Sequence, residues 1–161
     1  MSAADILSYG VALPSLRISA AAYKDAWGFC AAGGLKQKAF CSYDEDVMTL
    51  AYAAVQAAYE RLGVASDARP ADAIFVGATT LPYEEKPSSA ILVPALSAST
   101  AVRVVEVRGS TQAGLQALAA AVDYCKAHPG KTALAIAASW ADMLDIVSSS
   151  AVSRSSLESR R

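Results

Sequence analysis

The chain has 161 residues, 54% of them hydrophobic, and 14 Lys+Arg against 15 Asp+Glu give a formal net charge of −1. A length of this order predicts one domain with ample apolar material for a core, and the alanine-rich apolar fraction favours close packing of helices on helices or on a sheet over a large ligand cavity. The balanced charge gives no electrostatic case for nucleic acid or for an anionic membrane surface. No apolar run approaches the length of a membrane span, and Asp5 stands where a signal peptide needs positive charge, so the expected location is the cytoplasm.

Three cysteines, Cys30, Cys41 and Cys125, are odd in number and lack metal-ligand spacing. With His128 as the one histidine to join them, no zinc site is expected. They read as small buried or half-buried thiols.

In chain order, Ile6 to Leu13 alternates loosely up to Pro14 and reads as a strand. Ser19 is placed to cap a helix running to about Phe29, with Ala22, Tyr23, Ala26 and Trp27 on one face and Gly33-Gly34 as its breaker. Asp44, Glu45 and Asp46 precede a long amphipathic pattern. Its apolar face is Val47, Leu50, Ala51, Ala54, Val55, Ala58 and Leu62, and Gly63 closes it. Acids at a helix start complement its dipole, which accounts for these three without a metal. Asp72 to Gly77 reads as a short buried strand, followed by the loop Ala78-Thr79-Thr80. Tyr83, Glu84 and Glu85 read as a solvated turn before Lys86-Pro87, although a carboxylate pair in a loop is also a general acid–base arrangement. Ser88 opens a helix to about Leu96, with Pro94 as a possible kink. Lys131 to Ala138 is another buried strand. Trp140 to Val147 fits one or two amphipathic turns, and 148–161, serine- and arginine-rich, reads as a mobile tail.

The stretch that organises the rest is AVRVVEVRGSTQAGLQAL. Val102 to Val107 reads as a buried strand, Arg108-Gly109-Ser110-Thr111 as a tight turn, and the remainder as a helix reaching His128. A strand ending at a helix N-terminus offers unpaired backbone N–H groups and a dipole that favours negative charge, so a cysteine there is a thiolate at modest pH. This chain has Ser110 and Thr111 instead. Both fit helix capping, each hydroxyl accepting from an N–H two or three residues on. A hydroxyl nucleophile needs a general base in hydrogen-bond reach, and His128 lies about 25 Å along the helix at 1.5 Å per residue. Glu106, if inward-facing, needs a partner, and Arg108 lies two residues on along the same side of the strand. Alternating strands and helices imply an α/β fold with helices layered against a mixed, mostly parallel sheet.

Three stretches resemble the thiolase superfamily, and within it 3-hydroxy-3-methylglutaryl-CoA synthase, with ketoacyl synthase III as a more distant relative. KAFCSYDEDVMTLA is similar to the family's acidic helix start. FVGATTLPYEEKPSSAILVPAL is similar to its strand, catalytic-glutamate loop and KP-containing helix. VVEVRGSTQAGLQAL is similar to its nucleophile elbow. With ILSYGVALP and TALAIAAS the resemblance covers about residues 5–139. It implies a thiolase-like half-domain over 1–147, the N-terminal one of two similar halves, with 148–161 as the tail. It places the family's glutamate on Thr79 and its nucleophilic cysteine on Thr111, or on Ser110 after a slip of one residue. Both positions are degenerate, so no catalytic residue is expected here.

The expectation that follows is a non-catalytic thiolase/HMG-CoA synthase-like subunit. It would assemble with a thiolase-like catalytic chain or with itself in acyl-CoA condensation or thiolytic cleavage, and the second half, with the catalytic histidine and much of the oxyanion hole, would come from that partner. The helix after Ser110, carrying Gln112 and Gln116 among small residues, is expected in or near the contact. By analogy with related systems, an OB-fold protein with a zinc ribbon is a further partner. The competing expectation is an acyltransferase component that holds a coenzyme A thioester, with Lys36, Lys38 or Arg108 meeting phosphate, and whose active site another chain completes. A third reading makes Thr111 or Ser110 a real nucleophile served by a partner's base.

Overall fold

A computed structural model describes residues 4–29, 34–64 and 71–139. Its elements in chain order are β1 (Leu16–Ser19), α1 (Ala20–Trp27), β2 (Gln37–Phe40), α2 (Val47–Leu62), β3 (Ala73–Ala78), a 3-10 turn (Ser88–Ile91), α3 (Leu92–Ala95), β4 (Arg103–Arg108), α4 (Ala113–Ala127) and β5 (Ala133–Ala138). The described residues form two compact units, one of residues 4–12, 46–64 and 71–139 and the other of 13–29 and 34–45.

The larger unit is a parallel three-stranded sheet in the order β4-β3-β5. All six residues of β3, AIFVGA, are buried, as expected of a strand covered on both faces. Alternation sends Ile74, Val76 and Ala78 to one face, where they meet Val47, Met48, Ala51, Val55 and Tyr59 of α2, Leu92 of α3, and Leu96. It sends Ala73 and Phe75 to the other, against Ala117 and Ala121 of α4. Full burial of Ile74 and Val76 contributes roughly 1.5–3 kcal/mol each. The result is the expected α/β layering, with one helix layer on each face of a mostly parallel sheet.

Helix α2 begins and ends where its sequence predicts. Asp46 caps it by accepting from the Thr49 N–H at 2.7 Å, while Thr49 Oγ1 accepts from the Asp46 N–H at 2.7 Å, a reciprocal capping box. Gly63 closes it in the left-handed conformation. Of the predicted apolar face Val47, Ala51 and Val55 are buried, but Leu62 is exposed and Met48 and Tyr59 take its place in the core.

The smaller unit pairs β1 antiparallel to β2 and attaches α1 through the predicted cap, Ser19 Oγ accepting from the Ala22 N–H at 3.1 Å. Glu45 ties the unit's ends. Its carboxylate accepts from the Ser15 N–H at 3.0 Å and from the Ser42 N–H at 2.8 Å, and these amides, Ser42's first, hold it below the usual carboxylate range.

Four expectations change. Ile6–Leu13 forms no strand, because no neighbouring strand among the described residues pairs with it. Instead Ser8 Oγ donates to the Ala58 carbonyl at 2.7 Å, and Ile6, Leu7, Tyr9, Val11 and Leu13 stay exposed. Helix α1 stops at the left-handed Gly28, ahead of Gly33-Gly34, and of its predicted face only Tyr23 is buried. The Ser88–Leu96 segment is a 3-10 turn passing into one α-turn, which ends ahead of the left-handed Ser97, φ +51°. Strands β4 and β5, both expected to be buried, are the sheet's two edges among the described residues and are mostly half-buried or exposed. Cys30, Trp140–Val147 and the 148–161 tail lie outside the described residues.

Candidate functional site

Strands β3, β4 and β5 end in register, Ala78 opposite both Arg108 and Ala138. Thr79, Gly109 and Ser139 are therefore the first residues past three aligned carboxyl ends, the edge where open α/β sheets bind ligands. Thr79 Oγ1 and Ser139 Oγ lie 3.4 Å apart and share a hydrogen bond. Gly109 turns the chain with φ +73°, a conformation that disfavours a Cβ. Ser110 Oγ then accepts from the Gln112 N–H at 3.1 Å, and the Ser110 carbonyl accepts from the Ala113 N–H at 3.0 Å. Ser110 thus closes the turn ahead of α4, but it does not cap the helix as the sequence suggests, because the N-cap position is Gln112 and has no side-chain cap hydrogen bond. Thr111 is exposed and takes no such part.

Among the described residues no carboxylate, imidazole or amine is hydrogen-bonded to these hydroxyls. His128 is at the far end of α4, its Nδ1 2.9 Å from the Tyr124 carbonyl and its ring stacked on Tyr124 at 4.4 Å. Tyr83, Glu84 and Glu85 have exposed side chains, in keeping with a solvated turn. Lys36 and Lys38 belong to the smaller unit. Cys41 and Cys125 are half-buried, and among the described residues no group of three or more His, Cys, Asp or Glu is placed to hold a metal ion.

The charged residues that do converge are Glu106 and Arg108. Arg108 donates from Nε and Nη2 to Glu106 Oε2 at 2.8 and 2.6 Å, the expected pair. Glu106 Oε1 also accepts from the Ser89 N–H at 2.6 Å, and Arg108 Nη1 donates to the Tyr83 carbonyl at 2.7 Å. Burial by itself would raise the Glu106 carboxyl, but the Ser89 amide and the Arg108 guanidinium outweigh it and hold it below the usual range. The carboxylate forms one wall of an apolar cleft of about 440 Å³ beside β4, lined also by Val93, Pro94, Val102 and Val104. Arg108 is thus committed to carboxylate and carbonyl oxygens.

At the opposite, amino ends of the strands, Asp72 accepts from Lys131 Nζ at 2.8 Å and from the Thr132 N–H at 3.0 Å. Lys131 and then the Thr132 amide hold its carboxyl low. Sequence reasoning placed Asp72 in the strand and missed this clasp, although an acid just before one apolar run and Lys-Thr just before another is a visible signal. Carboxyls lowered in the folded state contribute stability that is present above their unfolded pKa and lost as pH falls through the folded value. Stability is therefore expected to fall steadily below about pH 4, the unfolded carboxyl range. In urea midpoints measured from pH 7 to pH 3, Asp72→Asn should start lower than the wild type and fall less steeply. A parallel pair of curves would show that the clasp contributes nothing.

No protein-family model matches the chain. It is 30% identical over 136 residues to the hydroxymethylglutaryl-CoA synthase of Pyrococcus horikoshii, covering 84% of this chain and 38% of that protein. It is 33% identical over 127 residues to that of Pyrobaculum aerophilum, covering 76% and 36%. Among solved structures, β-ketoacyl-[acyl carrier protein] synthase III of Thermus thermophilus superposes with a TM-score of 0.72 at 19% identity, over 89% of this chain and 47% of that one. The Aquifex aeolicus 3-oxoacyl-[acyl-carrier-protein] synthase III gives 0.68 at 21% identity, over 83% and 44%. The chain spans less than two-fifths of the length of these curated relatives. No helix among the described residues is long and apolar enough to cross a membrane. Aligned strand ends, an elbow running into a helix and this set of relatives together identify a thiolase-fold chain that is similar to part of hydroxymethylglutaryl-CoA synthase.

Proposed function

We propose that this chain is a non-catalytic, thiolase-like subunit of a cytoplasmic assembly for acyl-CoA condensation or thiolytic cleavage. One observation carries the reading. The elbow that in a cysteine enzyme would hold a thiolate carries Ser110, spent on closing its own turn, and an exposed Thr111 with no base hydrogen-bonded to it. An unassisted hydroxyl is a weak nucleophile at neutral pH. Thr79, aligned with the family's glutamate, offers a hydroxyl where acid–base chemistry wants a titrating group. Leu115 and Leu118, 71% and 41% exposed on α4, fit that helix's place in or near an assembly contact. The proposed partner is a thiolase-like chain with a cysteine and histidine of its own, or a second copy, with an OB-fold zinc-ribbon protein as a further component. The alternative, a component that still holds a coenzyme A thioester for another chain's active site, shares the assembly and differs in binding.

Incubation with acetyl-CoA, followed by intact-mass measurement of the chain, should show no added acetyl group. Native mass of the complex purified from its host should show a second thiolase-like chain or a second copy. An acetyl ester on Thr111 or Ser110 would overturn the non-catalytic reading, and a stable monomer would overturn the assembly. Calorimetric titration with coenzyme A separates the alternative from the main reading.

A further inference from the structure

We propose that residues 82–87 form a strap at the carboxyl end of the sheet, and that Arg108 is its latch. The argument does not depend on the proposed function. Between half-buried Leu81, which packs on the core, and fully buried Ser88, all six residues from Pro82 to Pro87 are exposed. No side chain of that span is anchored in the core. The strap is held through its backbone. Arg108 Nη1 donates to the Tyr83 carbonyl at 2.7 Å and Nη2 reaches the Lys86 carbonyl at 3.5 Å. One guanidinium therefore grips the strap near both ends.

Glu106 fixes the orientation of that guanidinium with two further bonds. Its other oxygen accepts from the Ser89 N–H, at the point where the strap re-enters the fold. A planar fork with five donors suits this task of four bonds to three oxygens, and an ammonium does not. Within the strap Lys86 Nζ sits over the Tyr83 ring at 4.2 Å, and at its re-entry the buried Ser88 Oγ accepts from the Tyr83 N–H at 3.3 Å. The first contact travels with the strap, the second holds it at its buried end, and neither ties it to β4. A segment without buried apolar anchors opens at low free-energy cost once its external hydrogen bonds go. The strap should then swing while the sheet stays intact.

The measurement is amide hydrogen exchange on the full chain, read at Tyr83 and Ala90 for the strap and at residues 117–127 for α4. Arg108→Gln should speed exchange at the strap amides by about tenfold or more and leave α4 within about twofold. Arg108→Lys, which keeps the charge and loses the fork, should fall between wild type and Arg108→Gln, and it reads the latch should the glutamine variant fail to fold. Lys86→Ala should leave the strap protected. Unchanged strap exchange in Arg108→Gln, full protection in Arg108→Lys, equal acceleration of strap and α4, or release by Lys86→Ala alone would each overturn the latch.

Discussion

Gly77→Ala should cost about 3 kcal/mol or more, the upper end of what forcing extra volume into a packed interior does. Gly77 lies in β3 where α4 begins to cross it. A Cβ on Gly77 would fall inside van der Waals distance of the Ala113 carbonyl and the Gly114 amide. All of these are backbone atoms, so no rotamer change relieves the overlap. Either the first turn of α4 lifts off the sheet or β3 shifts, and β3 is hydrogen-bonded on both sides. The elbow leads directly into that first turn, so the substitution should also disturb Gly109–Gln112. The urea midpoint should fall sharply with the m-value kept, while Thr80→Ala, at an exposed position just beyond the same strand, should stay within about 0.5 kcal/mol. A Gly77→Ala midpoint within error of the wild type would mean that α4 does not pack on β3 as closely as described.

Leu92→Ala should cost about 2–5 kcal/mol, although Leu92 belongs to a helix of only four residues. It is 1% exposed and packs in the cluster shared by α2 and the sheet. Truncation leaves a cavity between layers that are already held by hydrogen-bonded strands on one side and a capped sixteen-residue helix on the other, so little of it can collapse. Ile91, one position earlier, is 39% exposed, and Ile91→Ala should lose a small fraction of that amount. Comparable unfolding free energies for the two variants would remove the 3-10 turn and α3 from the core.

Where local chemistry decides an element, the sequence predicts it closely. The apolar run at 72–77, the start of α2 after Asp46, the Gly63 stop and the turn at 108–111 all correspond to observed features, because each is settled by neighbours within a few residues. Pairing across the chain is not so visible. Ile6–Leu13 has strand composition, but a strand needs a partner, and no periodicity supplies one. Leu16–Ser19 and Gln37–Phe40 are short and mixed in polarity, and they become strands by pairing with each other. At the candidate site Glu106–Arg108 was legible from two-residue spacing, as was the absence of a thiol. The bonds from that pair to Ser89 and Tyr83 join residues 17 and 25 positions apart, beyond any local signal.

The sheet's register carries a consequence for biosynthesis. Ala73 pairs with both Arg103 and Ala133, so the three strands begin thirty residues apart and the middle one in space is the first made. Parallel pairing across such intervals requires closing long loops before any ladder bond is gained, which makes folding slow. At about 5–20 residues per second of synthesis, β3 leaves the ribosome about 3–12 s before β5 is complete. During that interval AIFVGA is an uncharged, β-prone segment with at least one edge unpaired, the kind of stretch that nucleates aggregation. The nascent chain is therefore at its most vulnerable before residue 138 is added, and holdase chaperones that bind short apolar segments should engage it there.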